Sequence, residues 1–89
     1  MNIPGILAEF IGTTIFLLVI IITGNPWLIG LSLALIILIL GPVSGGYFNP
    51  AVTIMMVIAK KESKYHLIPY IFAQILAAPI AYLIYRYMK

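Results

Sequence analysis

The sequence predicts an all-α membrane protein with three transmembrane helices and one re-entrant half-helix, and three observations carry that prediction. Of the 89 residues, 64% are hydrophobic and 8% charged, a balance that would aggregate in water and suits lipid. Three apolar segments approach or reach the roughly 20 residues that a helix needs to cross a hydrocarbon core of about 30 Å. Between the second and third, SGGYFNPAVT at 44–53 breaks the apolar pattern with two glycines, an asparagine and a proline, poor material for the interior of a membrane helix.

The first span covers residues 6–23. GNP at 24–26 predicts a tight turn in which Asn25 caps the next helix and Pro26 takes its first turn, where a missing N–H costs nothing. The second span, 26–41, is short for a crossing, and Trp27 at its start suits a membrane interface. Gly41-Pro42 and Gly45-Gly46 argue against continuous helix through 41–48. A loop and half-helix occupy 42–59, with Asn49 as N-cap and Pro50 at the first helical position. About ten residues at about 1.5 Å each reach roughly 15 Å, half a bilayer. KKESK at 60–64 returns the chain to an aqueous surface. The last span, 66–85, has Pro69 in its first turn, Pro79 bending its far half, and Tyr82, Tyr85 and Tyr87 as an interfacial belt. Three crossings put the two ends on opposite faces, and no internal repeat is visible.

Composition excludes several function classes. The net charge of +3 comes from Lys60, Lys61, Lys64, Arg86 and Lys89 against two glutamates, which flank spans and are too sparse for nucleic-acid binding. Without cysteine there is no disulfide, thiol chemistry or thiolate metal site. MNIPG lacks a basic n-region and the following apolar run carries Glu9, which argues against a cleaved signal peptide. No His/carboxylate cluster, nucleophile–base pair or glycine-rich nucleotide loop is present, so no catalytic residue, metal or cofactor is expected, and the chain does not read as an enzyme. His66, beside lysines at a helix start, reads as interfacial. Ala8, Gly12, Gly30 and Ala34 read as small residues that permit close helix packing.

Non-helical backbone at membrane depth is tolerated only where protein buries it or water lines it. GPVSGGYF at 41–48 offers a run of carbonyls with mostly small side chains. The half-helix after it presents unpaired N–H groups and a partial positive charge. Together they make an acceptor ladder ending at a donor, a wall for a polar pore; a helix cap inside a loop accounts for NPA taken alone. Glu9 is the acidic residue within a span, and such residues face a bundle interior with a partner, the rival reading being a helix-end position near the interface. Gln74 suits an interhelical hydrogen bond, with or without a pore role.

At three ordered motifs the sequence resembles the aquaporin and glycerol-facilitator family, also called the major intrinsic proteins. SGGYFNPAVT looks like that family's first pore loop, AEFIGTTIF at 8–16 like its first-span signature, and IPYIFAQ at 68–74 like its third-span motif. The resemblance covers one repeat, half of the family's usual length; the repeat that carries another NPA and an arginine is not in the sequence. It implies that Asn49 donates its side-chain amide to a passing water or hydroxyl, and that Pro50 and Ala51 stack on an opposing half-helix. It further implies that Gly45, Gly46, Tyr47 and Phe48 aim backbone carbonyls into a channel, with Glu9 and Gln74 supporting the loop. The matching constriction is Ile29, contributed by each of two copies, with Gly46 and with Val52 where the family has arginine. That ring is aliphatic, and it favours small neutral solutes such as glycerol.

One half-helix reaches only the midplane, so the fold expected is half of an aquaporin-like fold completed by a second copy inserted upside down. The expected unit is an antiparallel homodimer in a multi-pass membrane setting. Three basic residues on one face against two on the other impose little orientation. By analogy with the family's four pores, eight chains would make the complex. The expected function is a passive channel for water or small uncharged solutes, with membrane lipid as surroundings. The alternatives are a half-channel that needs a separate second-repeat partner, a non-conducting membrane assembly protein, or a small proton-coupled exporter relying on Glu9, which leaves the NPA half-helix unexplained.

Overall fold

The computed structural model describes residues 2–88; Lys89, grouped above with Arg86, lies outside the described residues. Helix α1 runs Ile3–Thr23, α2 Pro26–Ser44, α3 Pro50–Ile58 and α4 Leu67–Tyr87, the last preceded by a 3-10 turn at Lys64–His66. Three stretches, Ile3–Thr23, Pro26–Ser44 and Lys64–Tyr87, are long and apolar enough to cross a membrane. Helix α3 has nine residues and reaches roughly 14 Å at about 1.5 Å per residue, too short to cross.

The helix ends follow from local chemistry. Asn2 accepts the Gly5 amide at 3.1 Å and starts α1. Gly24, at φ 55°, closes α1 with its N–H on the Ile20 carbonyl. Asn25 Oδ1 then accepts the Trp27 and Leu28 amides at 2.9 and 3.1 Å, so two residues suffice to reverse the chain into α2. The second helix outlasts the sequence expectation and continues through Gly41 and Pro42 to Ser44. Pro42 forgoes one bond to the preceding turn, but Gly41 before it has no Cβ to strike the proline ring. The Gly45 amide still closes on the Gly41 carbonyl at 2.8 Å.

Helix α1 lies at the centre, packed on α2 on one side and α4 on the other, while α3 rests on α4. The α1–α4 contact is built from small residues. On α4, Ala73, Ala77 and Ala81 are buried, and on α1 Gly5 and Ala8 are, a Cβ at Gly5 being barred by the Tyr70 hydroxyl of α4; such small residues let the backbones approach closely. Gly30 and Ala34 on α2 are instead exposed, with open space where a Cβ at Gly30 would point, because α2 packs within this chain on α1. Most large apolar side chains face outward, as lipid or protein contact requires. The buried polar side chains Glu9, Thr13, Thr14, Ser44, Thr53 and Gln74 gather mainly where α2 gives way to α3.

Candidate functional site

The loop between α2 and α3 departs from ordinary backbone at three of its positions. Gly45, Gly46 and Phe48 take φ of 103°, 72° and 54°, the left-handed region that an L-residue enters at a cost of about 1–2 kcal/mol. Gly46 has a second constraint, since a Cβ there would lie 3.2 Å from the Gly41 Cα. Phe48 is the non-glycine member of the group, and its ring, 3% exposed, packs where a side chain at Gly12 would stand.

Glu9 holds this conformation. Fully buried on α1, its carboxylate accepts the Ser44 hydroxyl at 2.6 Å, the Tyr47 amide at 3.2 Å, the Phe48 amide at 2.8 Å and the Gln74 side-chain amide at 2.7 Å. Four donors around one carboxylate replace the water that it leaves behind. Gln74 Nε2 also donates to Thr53 Oγ1 at 2.7 Å, and Thr53 in turn donates to the Asn49 carbonyl at 3.0 Å. Ser44 Oγ accepts the Gly46 amide at 3.2 Å, and Tyr70, fully buried, donates to the Ser44 carbonyl at 3.0 Å.

This clamp dictates where the carbonyls point. In a trans peptide the N–H of one residue and the C=O of the residue before it lie on opposite sides, and no peptide bond of the described chain is cis. The Gly46, Tyr47 and Phe48 amides turn inward to Ser44 and Glu9, so the Gly45, Gly46 and Tyr47 carbonyls turn away from Glu9. Among the described residues no donor meets them. Immediately after them, exposed Asn49 caps α3 with its Oδ1 on the Ala51 amide at 2.8 Å. Its Nδ2 is therefore turned away from α3, with no acceptor among the described residues. A row of acceptors is thus followed by a donor at the start of a short helix.

The sequence-derived site residues divide into two groups. Glu9, Gln74, Gly45, Gly46, Tyr47, Phe48 and Asn49 meet in one network, with Pro50, Ala51 and Val52 in the first turn of α3 beside it. Ile29 does not join them. It sits in the first turn of α2 and Gly46 beyond its last turn, about 25 Å apart along the helix at about 1.5 Å per residue.

Ser44, Thr53, Tyr70, Glu62 and His66 were missed as contributors. Thr53 had a signal in its i+4 spacing from Asn49, which lets its hydroxyl reach the Asn49 carbonyl. Glu62, within KKESK, is tucked against the loop and only partly exposed. It accepts the Tyr47 hydroxyl at 2.6 Å, lies 2.7 Å from His66 Nδ1, and accepts the Ser63 amide at 3.1 Å. Burial, the largest influence on Glu62, pushes its carboxyl upward. The hydrogen bonds from Tyr47, His66 and Ser63 outweigh that push and hold it below its ordinary value.

Comparison with known proteins agrees with this architecture. The family described as Major intrinsic protein matches residues 2–89. The Glycerol uptake facilitator protein-like 6 of Lactiplantibacillus plantarum is 40% identical over 84 residues, covering 84% of this chain and 39% of that protein. The Lens fiber major intrinsic protein of Gallus gallus is 33% identical, covering 83% of this chain and 33% of its own length. Aquaporin-4 of Mus musculus is 36% identical, with 82% and 28% covered. The chain thus spans less than half the length of these relatives, and no solved structure matches it with significance. A buried glutamate clamping a glycine-rich loop, three membrane-length helices and a family match from end to end have one reading: the chain belongs to the major intrinsic protein family and is an integral, multi-pass membrane protein.

Proposed function

We propose that the chain forms half of a passive channel for water or small neutral solutes, with a second, inverted copy supplying the other half. The observation that carries this reading is the Glu9 clamp, which turns the Gly45, Gly46 and Tyr47 carbonyls away from the protein interior beside the exposed amide of Asn49. At membrane depth such groups need water or protein as partners. A water or a hydroxyl can accept from Asn49 and donate to the carbonyls in turn. The names of the relatives, a glycerol uptake facilitator and an aquaporin among them, support the solute class.

In this reading α3 is a re-entrant half-helix that reaches the midplane, and Pro50 and Ala51 abut its counterpart there. A two-fold axis in the membrane plane relates the two copies, as it approximately relates inverted repeats. The axis exchanges the ends of α2, so Ile29 of one copy comes level with Gly46 and Val52 of the other. Two Ile29 side chains in a single ring, the sequence expectation, do not fit this symmetry. They fall at opposite mouths, and the pore has two equal aliphatic constrictions. With valine at position 52, neither offers a fixed cation, which favours neutral solutes over anions.

A second reading has its own observation. The relatives are more than twice as long as this chain, so a different segment carrying the second repeat could complete the pore in place of a second copy. The test is osmotic light scattering from liposomes that hold only this chain, with water and glycerol measured separately. Flow above empty vesicles, lowered by Asn49→Asp, is the expected outcome. No flow from folded, reconstituted protein would reject the self-sufficient pore in favour of a different second half or a non-conducting role.

A further inference from the structure

A second set of contacts ties the same loop to the aqueous end of α4, and nothing in the channel reading uses it. The Tyr47 hydroxyl donates to Glu62 Oε2 at 2.6 Å, and Glu62 Oε1 lies 2.7 Å from His66 Nδ1. The His66 ring stacks on Tyr70, with centroids 5.3 Å apart and planes 17° apart. Tyr70 closes the circuit, donating to the Ser44 carbonyl at 3.0 Å and lying 6.1 Å from the Tyr47 ring. The Tyr47 ring itself covers Gly45, where a Cβ would stand 2.6 Å from its Cζ. Loop residues 44–47 are therefore gripped from two directions, by Glu9 from within and by the Glu62–His66 pair from the aqueous side.

We propose that Tyr47, Glu62 and His66 form a charge-sensitive latch on the loop, tight when His66 is protonated and looser when it is neutral. Protonated His66 makes an ion pair with Glu62 and fixes the carboxylate against which the Tyr47 hydroxyl rests. Neutral His66 leaves one hydrogen bond and no countercharge. The Glu62 side chain is 14% exposed and that of His66 29%, so the pair is only partly screened by solvent. The charged and titratable groups around it are Tyr47 from the loop, Tyr70 from α4, and Lys64 in the same turn, whose ammonium lies over Tyr65. Lys60 and Lys61 follow α3, and Glu9 lies behind the two tyrosines. His66 is the single histidine of the chain. A slack Tyr47 side chain frees its own peptide planes, so the latch acts on the Gly46 and Tyr47 carbonyls that line the proposed path. For its effect on flow, and for that alone, it rests on the channel reading.

The test is amide hydrogen exchange by NMR on the whole chain in lipid nanodiscs, at about pH 5.5 and about pH 8. Rates are expressed as protection factors so that the intrinsic pH dependence of exchange cancels. Protection of the Gly46 and Tyr47 amides should be about two- to fivefold higher on the acid side, the range that a partly exposed ion pair supplies. His66→Gln should abolish the difference. Tyr47→Phe, which keeps the ring over Gly45 and removes only the hydroxyl, should abolish it too. Equal protection at both pH values in the wild type, or an unchanged difference in His66→Gln, would overturn the latch. Water flow measured on the same protein in liposomes separates the two ideas. A pH-dependent loop without flow at either pH rejects the channel and keeps the latch, and flow with a pH-independent loop does the reverse.

Discussion

At the scale of single residues, one carboxylate decides the conformation of the loop. Glu9 serves four donors at once, and without the carboxylate the Tyr47 and Phe48 amides would be buried without a partner. Glu9→Ala should therefore destabilise the fold well beyond the about 1–3 kcal/mol of a single orphaned polar group, read as a lowered melting temperature in detergent. The glycines offer a finer test. Gly24→Ala meets left-handed backbone but open space, whereas Gly46→Ala meets left-handed backbone and the Gly41 Cα at 3.2 Å. The first should cost about 1 kcal/mol and the second clearly more; equal costs would contradict the close approach. Glu62 adds a pH dependence. Its carboxyl is held below its ordinary value of 4.5, so its contribution is fully present above that value and lost as pH falls through the lowered one. The stability gap between wild type and Glu62→Gln should accordingly close as pH falls below 4.5 and through that lowered value. Much of this site was legible: SGGYFNPAVT and the lone intraspan glutamate located the loop and its clamp. Glu62 and His66 were not, because KKESK reads as a solvated charge run, and only the folded turn brings the Tyr47 hydroxyl to Glu62.

At the scale of elements, the fold is organised by what interrupts its helices. Asn25-Pro26 and Asn49-Pro50 use the same cap chemistry, and both were readable because Asn supplies the acceptor and Pro the preset φ. The end of α2 was misjudged for a physical reason. Gly41-Pro42 looks like a breaker, but glycine removes the steric conflict that proline imposes on its predecessor, and the helix stops only at left-handed Gly45. Close packing of α1 on α4 draws on the small buried residues Ala73, Ala77 and Ala81 of α4. Ala77 has no exposed surface, so Ala77→Leu should overpack the contact and cost about 1–3 kcal/mol. Ala78→Leu, at an exposed neighbouring position, should change little. Unfolding titrations of the two variants in mixed micelles compare them directly.

At the scale of the whole molecule, one side of the chain remains polar and another remains greasy. Helix α2 shows Leu31, Leu35, Leu38 and Ile39 outward, while the loop presents carbonyls and the Asn49 amide. Lys60, Lys61 and Lys64 lie between α3 and α4, and Arg86 lies in the last turn of α4. Completion of one pore by two inverted copies, as proposed above, has a geometric signature. Ile29 and the loop lie at opposite ends of α2 in one chain, whereas inversion brings Ile29 of one copy level with Val52 of the next. The absence of cysteine allows a clean cross-linking measurement: Ile29→Cys combined with Val52→Cys, in native membranes, with a short bifunctional thiol reagent. Covalent dimers are expected from the double variant and far fewer from either single variant. Monomer alone from well-expressed, membrane-inserted protein with both thiols accessible would contradict the antiparallel pore.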